Sequence, residues 1–410
     1  MEPEMIGNPI ELIREQLGHE YAELLVEITR TATLLGFGIF IVGGTVRDLI
    51  LKRDLKDIDL SVTGDAILLV DEVSKSLDVD IVRYRKFRTA TIKTGRIEID
   101  VVSARSEVYP NSGALPEVKL GDIHDDLKRR DFTINAMAIS INEPYHLVDS
   151  EDGRSDLNAG TVRVLHNRSF TDDPTRLFRM FRYASRFDFD IDENTYIAAK
   201  SAISKQCLAT ISKERLTNEV LLMLEEPHVD NAFRYFIEFD VLGLPVSGNE
   251  KISIEHTNLE FKWIALLSMY SEDCYEQFCS MFSLDRKNTN MIKDYIDLCS
   301  LIKTNDLQAV DRTNISATYF LLKQVPRPVM DAYVACHPNQ LNVNMLMDYM
   351  MYTDQVKINL DPIGLINLGV DRHHISDVMD ILMIGALTGK IASRSDEEKA
   401  VVQYVNEHKI

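Results

Sequence analysis

The chain has 410 residues, 45% of them apolar and 27% charged, a soluble globular balance with room for several domains at roughly 150 residues each. No apolar stretch approaches the roughly 20 residues that span a bilayer, and the N-terminus lacks a basic segment followed by an apolar core; the five cysteines are odd in number and never spaced as CxxC. These features argue against a membrane protein, a disulfide framework and a structural zinc and place the chain in the cytoplasm, while a net charge of −19 leaves nucleic acid only a local basic surface.

In chain order, apolar residues from Leu12 to Leu35 recur at helical spacing and predict a helix over 11–35, ended by Gly36. A strand over 38–42 follows and runs into Gly43-Gly44, after which Thr45 is expected to cap a short helix reaching Leu51. The next strand covers 57–62, Gly64-Asp65 opens a helix to about Leu77, and strands are predicted at 79–84, 88–93 and 97–102, the last two joined through Thr94-Gly95-Arg96. From 103 to 124 prolines and glycines break the pattern and predict a mobile loop. Beyond Lys128 the chain reads as helical, apart from a short strand at 161–165 and loops at 149–160, 243–252 and 357–363. The expected fold is therefore α+β: a small mixed β-sheet followed by a long helical remainder.

Chemistry concentrates in the first half. Asp57 and Asp59 stand two apart on a strand, so both carboxylates project from one face, an arrangement suited to hard divalent cations. The same dipeptide pattern decorates many solvated strands. Upstream, Gly43-Gly44 opens a helix whose bare amides attract phosphate, and Arg47 lies one turn in. Asp100 can supply a third carboxylate if its strand neighbours that of Asp57 and Asp59. Three cationic clusters are available for an anionic partner: Arg83 to Arg88, Lys128 to Arg130, and Arg176, Arg179, Arg182 and Arg186. Each alone reads as a solvated face, and only their convergence on one site gives them meaning. The adjacent pair His124-Asp125 has no accompanying histidine cluster and reads as the start of a helix.

Asp172 and Asp173 precede a helix on which Arg176, Arg179 and Arg182 form a slowly drifting stripe, with Phe178, Phe181 and Ala184 toward the core. One of the two aspartates is expected to cap the helix. A carboxylate also accepts from an exocyclic amine while a neighbouring guanidinium donates to a ring nitrogen. Cytosine and adenine present that order and uracil and guanine the reverse, so Asp173 and Arg176 together can select C and A without a template.

The segments VGGTVRD and DID, then DDLKRRDFTINAMAI, DDPTRLFRMFRYASRF and ISKERLTNEV, resemble in order and spacing the class II tRNA nucleotidyltransferases of the polymerase-beta-like superfamily over roughly residues 38–225. This family includes CCA-adding, A-adding and poly(A)-adding members. The resemblance implies Mg²⁺ on Asp57 and Asp59, contacts from Gly44, Arg47 and Arg130 to the incoming triphosphate, and a nucleotide-selecting helix carrying Asp173, Arg176, Arg179 and Arg182. It implies a nucleotidyltransferase head over 1–140, a neck over 141–225, a helical body over 226–350 and a tRNA-binding tail over 351–410. The expected activity is addition of nucleotides from CTP and ATP to the 3′ end of tRNA with release of pyrophosphate. Addition of the terminal A alone is the main alternative; poly(A) addition and a catalytically silent RNA-binding relative rank below it. Departures from the family pattern are Asp172-Asp173 in place of Glu-Asp, a single glycine at Gly153, and Asp371-Arg372-His373-His374 where Gly-Pro is common.

Overall fold

The computed structural model describes residues 4–5, 7–108, 117–247, 259–304, 314–338 and 341–408. The chain divides into two compact units, Met1–Val241 and Leu242–Ile410.

The first unit opens with β1 (Glu4–Met5), α1 (Pro9–Leu17) and α2 (His19–Leu34). The single helix expected over 11–35 is thus two, because Gly18 takes φ +101° between them and its N–H closes α1 on the Arg14 carbonyl at 2.9 Å. Asn8 caps α1 through Ile10 N–H, and Gly36, at φ +72°, ends α2 as its position in the sequence suggests. Then follow β2 (Ile39–Val42), α3 (Gly44–Ile50), β3 (Asp57–Val62), α4 (Ala66–Ser76), β4 (Asp80–Tyr84), β5 (Thr89–Lys93) and β6 (Glu98–Ser103), close to the predicted spans.

Between 103 and 124 the expected loop contains a hairpin of β7 (Arg105–Val108) and β8 (Glu117–Leu120), and residues 109–116, part of that expected mobile loop, lie outside the described residues. Next comes α5 (Ile123–Lys128), begun by a reciprocal Asp122/Asp125 capping box that accounts for the His124-Asp125 pair as a helix start. Two short strands, β9 (Ala138–Ser140) and β10 (His146–Val148), fall where continuous helix was expected; the alternation of β9 is hidden in a run that is buried throughout. Residues 153–159, expected as loop, form α6 (Gly153–Ala159). A Cβ on Gly153 would lie 2.2 Å from the Thr133 carbonyl oxygen, so this position holds glycine to let α6 approach the 131–135 segment.

The predicted strand at 161–165 is reduced to β11 (Thr161–Val162), after which come α7 (Ser169–Asp172), α8 (Arg176–Phe187), β12 (Asp190–Ile191), α9 (Glu193–Ser204), α10 (Lys213–Leu224) and α11 (Val229–Glu238). The main sheet runs β1-β10-β9-β2-β3-β6-β5-β4, antiparallel throughout except for the parallel pair β3–β6, whose crossover carries α4. Ile58, Leu60, Ile99 and Val101 bury fully on the face that α4 covers, which turns the alternate residues Asp57, Asp59 and Asp100 to the opposite face. In α8, Phe178 and Phe181 are fully buried and pack on Phe236 of α11, which anchors the arginine-bearing helix.

The second unit is helical over its described residues. Trp263, Tyr270, Phe278 and Phe282 form one aromatic cluster, and Tyr275, Tyr295 and Tyr333 form another. The helices Pro362–Asn367, Ile375–Leu387 and Arg394–His408 share a core of Leu360, Leu365, Val370, Val378, Leu382 and Val401. Buried Glu397 accepts from the Asn359 and Leu360 amides and pins the segment entering it. Of the loops expected here, residues 357–361 are irregular up to the helix at Pro362, 243–247 are irregular, and 248–252 lie outside the described residues. All five cysteines are free, and no described helix is long and apolar enough to cross a membrane.

Candidate nucleotide-binding site

The residues opposite the α4 face surround a cavity of about 550 Å³, with walls from β3, the 126–135 segment, α8 and α10. Its lining includes Gly44, Arg47, Asp57, Asp59, Arg130, Asp173, Arg176 and Arg179. Two of the three basic clusters in the sequence therefore meet here, while Arg83 to Arg88 stay outside. Asp100 and Arg182, also singled out from the sequence, do not line the cavity.

The β3 strand carries the acidic half. Register places Asp59 directly beside Asp100 of β6, and Thr91 of β5 donates to Asp100 at 2.5 Å. Thr45, expected as a helix cap, instead sits inside α3 and accepts from the Asp59 N–H at 2.9 Å, locking α3 to the carboxylate strand. Burial pushes the Asp59 carboxyl up to about 6, helped by the charge of Asp57 and opposed by Arg130. Asp57 is raised as well, by burial and then by Asp100 and Asp48.

Among the described residues neither Asp57 nor Asp59 has an ion-pair partner, and no three acidic, histidine or cysteine side chains form a ready metal cage. Two crowded, unpaired carboxylates on one rigid strand suit a hard divalent cation that takes one or two protein carboxylates and completes its shell with water and substrate phosphates.

The opposite wall is cationic, and each guanidinium is held from behind. Arg47, 4% exposed, donates to Asn135 Oδ1 at 2.6 Å and to both Asp48 oxygens, and lies over the Tyr183 and Phe187 rings at 5.3 and 4.8 Å. Arg130 reaches Asp126 at 3.2 Å, and its guanidinium fills the space beside Gly43, where a Cβ would lie 2.1 Å from Nη1. Gly43, at φ +66°, thus serves both the turn and the close approach of Arg130.

Asp173 does not continue into α8. It stays extended, and its Oδ1 accepts from Thr175 N–H, Thr175 Oγ1 and Arg215 Nη2, at 3.2, 2.7 and 3.2 Å. Thr175 is the N-cap of α8 and no side chain caps it, so neither aspartate takes the capping role expected of one of them; Asp172 ends α7 and pairs with Arg168 at 3.0 Å. Arg176, 5% exposed, donates to Ser169 Oγ at 2.6 Å and to the Arg129 backbone carbonyl at 2.9 Å. Arg179 binds Asp131 at 2.6 Å and the Tyr183 hydroxyl at 2.9 Å. Burial alone would raise the Asp131 carboxyl, but the Arg179 charge and the Asn135 hydrogen bond hold it below the ordinary aspartate range. Arg182 turns away to Glu226 at 2.9 Å, sharing that buried carboxylate with Arg186.

Several contributors were not picked out from the sequence: Asp131, Tyr183, Arg215 and Glu219 all belong to quoted motifs without having been given roles. Glu219 lines the cavity with a buried Oε2 that has no hydrogen-bond partner among the described residues. Their only signal is occurrence within these motifs, because their significance lies in contacts between segments about 40 residues or more apart, such as Arg179 with Asp131 and Arg215 with Asp173.

Residues 39–163 match the model of the poly A polymerase head domain, and residues 188–243 match that of the probable RNA and SrmB-binding site of polymerase A. The A-adding tRNA nucleotidyltransferase of Halalkalibacterium halodurans is 30% identical over 88% of this chain and 87% of its own length. A CCA-adding enzyme of Lactobacillus helveticus is 29% identical over 70% of this chain and 76% of its own. Among solved structures, the Thermotoga maritima CCA-adding enzyme complexed with tRNA superposes with a TM-score of 0.74 at 25% identity, covering 98% of this chain and all of that one. With its mixed-sheet head, helical remainder and carboxylate-and-arginine cavity, this chain belongs to the tRNA nucleotidyltransferase family.

Proposed function

We propose that the chain adds nucleotides from CTP and ATP to the 3′ end of tRNA without a template, building or repairing the CCA terminus and releasing pyrophosphate. The observation that carries this reading is a single cavity in which unpaired Asp57 and Asp59 face Arg47, Arg130, Arg176 and Arg179. The carboxylates are the groups that would hold Mg²⁺, which when bound supplies charge neutralisation for the attacking hydroxyl and the departing pyrophosphate. Arg47 and Arg130, fixed by Asn135, Asp48 and Asp126, bind and orient the triphosphate. Because these donors are already oriented, little reorganisation remains for the reaction itself.

Base choice falls to the start of α8. Asp173 accepts from the exocyclic amine of C or A, and Arg176 donates to the adjacent ring nitrogen; each exchanges part of its present bonding to do so. Arg179 and Arg182 hold the helix in place through Asp131 and Glu226.

A second reading, addition of the terminal A alone, is favoured by the 30% identity to an A-adding relative over most of both chains. The test uses tRNAs ending before the CCA, after CC and after CCA, each incubated with CTP, ATP or both. Extension of the shortest tRNA by three nucleotides supports full CCA addition. Extension confined to the CC-ending tRNA with ATP supports the second reading, and no incorporation on any of them sinks both.

A further inference from the structure

The cluster from Arg83 to Arg88 takes no part in the nucleotide cavity. Arg83 is spent on Asp71 at 2.6 Å, but the turn after β4 brings Lys86, Phe87 and Arg88 against the β7–β8 hairpin and forms a separate groove of about 320 Å³. Lys86, Arg88, Arg105 and Lys119 line it, with no carboxylate among the lining residues. Of these, Lys86, Arg88 and Lys119 have no ion-pair partner among the described residues. Phe87 and Leu120 are 54% and 55% exposed there, an aromatic and an aliphatic surface among the cations.

This groove adjoins the nucleotide cavity. Glu107 lines the cavity, and its neighbour two residues back, Arg105, lines the groove. Glu107 accepts from Arg105 at 2.9 Å on one side and from Arg129, in the cavity wall, at 3.1 Å on the other. In a chain of net charge −19, three converging cations without an ion-pair partner among the described residues, beside an Arg105 held by Glu107, mark a site for a polyanion. An exposed aromatic ring among them suits unstacked bases, the combination by which single-stranded nucleic acid is held.

We propose that the groove binds a single-stranded segment of the RNA whose 3′ end enters the nucleotide cavity, with phosphates on Lys86, Arg88 and Lys119 and a base stacked on Phe87. This inference rests on the RNA-extending reading above, and its test is separable from that reading. The full chain, the triple variant Lys86→Ala/Arg88→Ala/Lys119→Ala and the single variant Phe87→Ala are titrated with a fluorescent single-stranded RNA 12-mer and with tRNA over a range of salt. In the triple variant the slope of log affinity for the 12-mer against log salt should shrink by about 2, the counterion release from three phosphates on a single strand. Phe87→Ala should bind roughly tenfold more weakly at unchanged slope, the scale of one lost stack. In both variants KM for RNA should rise while KM for ATP stays put.

Unchanged RNA affinity and slope in the triple variant would overturn the proposal, as would a rise confined to KM for ATP. A wild-type chain that binds RNA through this groove yet incorporates no nucleotide would refute the transferase reading and leave the groove standing. Wild-type RNA kinetics in a fully active triple variant would refute the groove alone.

Discussion

Arg176 donates from Nη2 to the backbone carbonyl of Arg129 at 2.9 Å, so the arginine at the head of α8 is tied to the residue preceding Arg130 in the cationic wall of the cavity. The group proposed to read the base and the group proposed to hold the triphosphate are thereby parts of one hydrogen-bonded frame.

Arg176→Ala should therefore relax base choice and loosen the Arg130 wall together. Discrimination against UTP and GTP is expected to fall about 10²-fold, since a site built on hydrogen bonds rejects a mismatched partner by leaving its own groups unpaired. KM for ATP should rise by a smaller factor. Competition between ATP and UTP on one RNA primer measures both, and an unchanged ratio removes Arg176 from the selecting role.

Asp59→Asn should lower kcat by at least about 10² while the fold persists, the scale for losing one preorganised electrostatic group. Asp59 is crowded by Asp57 and Asp100 with no ion-pair partner among the described residues, so its melting temperature in EDTA should be equal to or above that of the wild type. Near-normal incorporation by this variant would contradict the assignment of the carboxylates.

Magnesium should raise the melting temperature of the wild-type chain in the presence of ATP, by linkage worth about 1.4 kcal/mol at tenfold saturation. In Asp57→Asn/Asp59→Asn the magnesium-dependent part should vanish. Differential scanning calorimetry with and without EDTA reads the difference, and an equal magnesium effect in both proteins argues that the ion binds elsewhere.

Glu226 predicts a pH effect on stability. Burial opposes its charge, but hydrogen bonds from Arg186 and Arg182 outweigh that and hold its carboxyl below the ordinary glutamate value of 4.5. A depressed carboxyl stabilises the fold fully above the unfolded value and loses that contribution as pH falls through the folded one. Glu226→Ala leaves two arginines without their carboxylate and should cost about 3 kcal/mol at pH 7, near the lower figure for breaking a buried pair. The gap between wild type and variant should hold steady above pH 4.5 and narrow below it. Urea titrations at stepped pH test this, and a gap that widens toward acid would contradict it.

The strands and helices up to β6 were legible because their alternation or helical spacing is written locally, one face apolar and one polar. Apart from the Gly18 break between α1 and α2, the exceptions depend on contacts between elements. Thr45 reads as a cap until the β3 amide is seen donating to it, and β9 reads as helix because all three of its residues are buried. At the site, Asp57, Asp59, Gly44, Arg47, Arg130, Asp173, Arg176 and Arg179 were all named from the sequence and all line one cavity. Arg182 was named for its place in the α8 stripe, and Asp100 for its expected nearness to β3. Arg182 drifts out of the cavity because three-residue steps fall short of a full turn, and it is spent on Glu226. Asp100 does neighbour Asp59 but is held back by Thr91.

The sequence by itself determined the chemical inventory: two carboxylates on one strand face, a glycine turn before a helix, and arginines at helical steps, each dictated by spacing along a single element. Only the tertiary structure decided which of these groups meet and how each is held. Arg179 on Asp131, Arg215 on Asp173 and Arg176 on the Arg129 carbonyl join segments more than 40 residues apart, and a hydrogen bond of that span is fixed by packing of whole elements rather than by local pattern. The same packing divided the basic residues into a cavity that holds Arg47, Arg130, Arg176 and Arg179 and a separate groove that holds Lys86, Arg88 and Lys119.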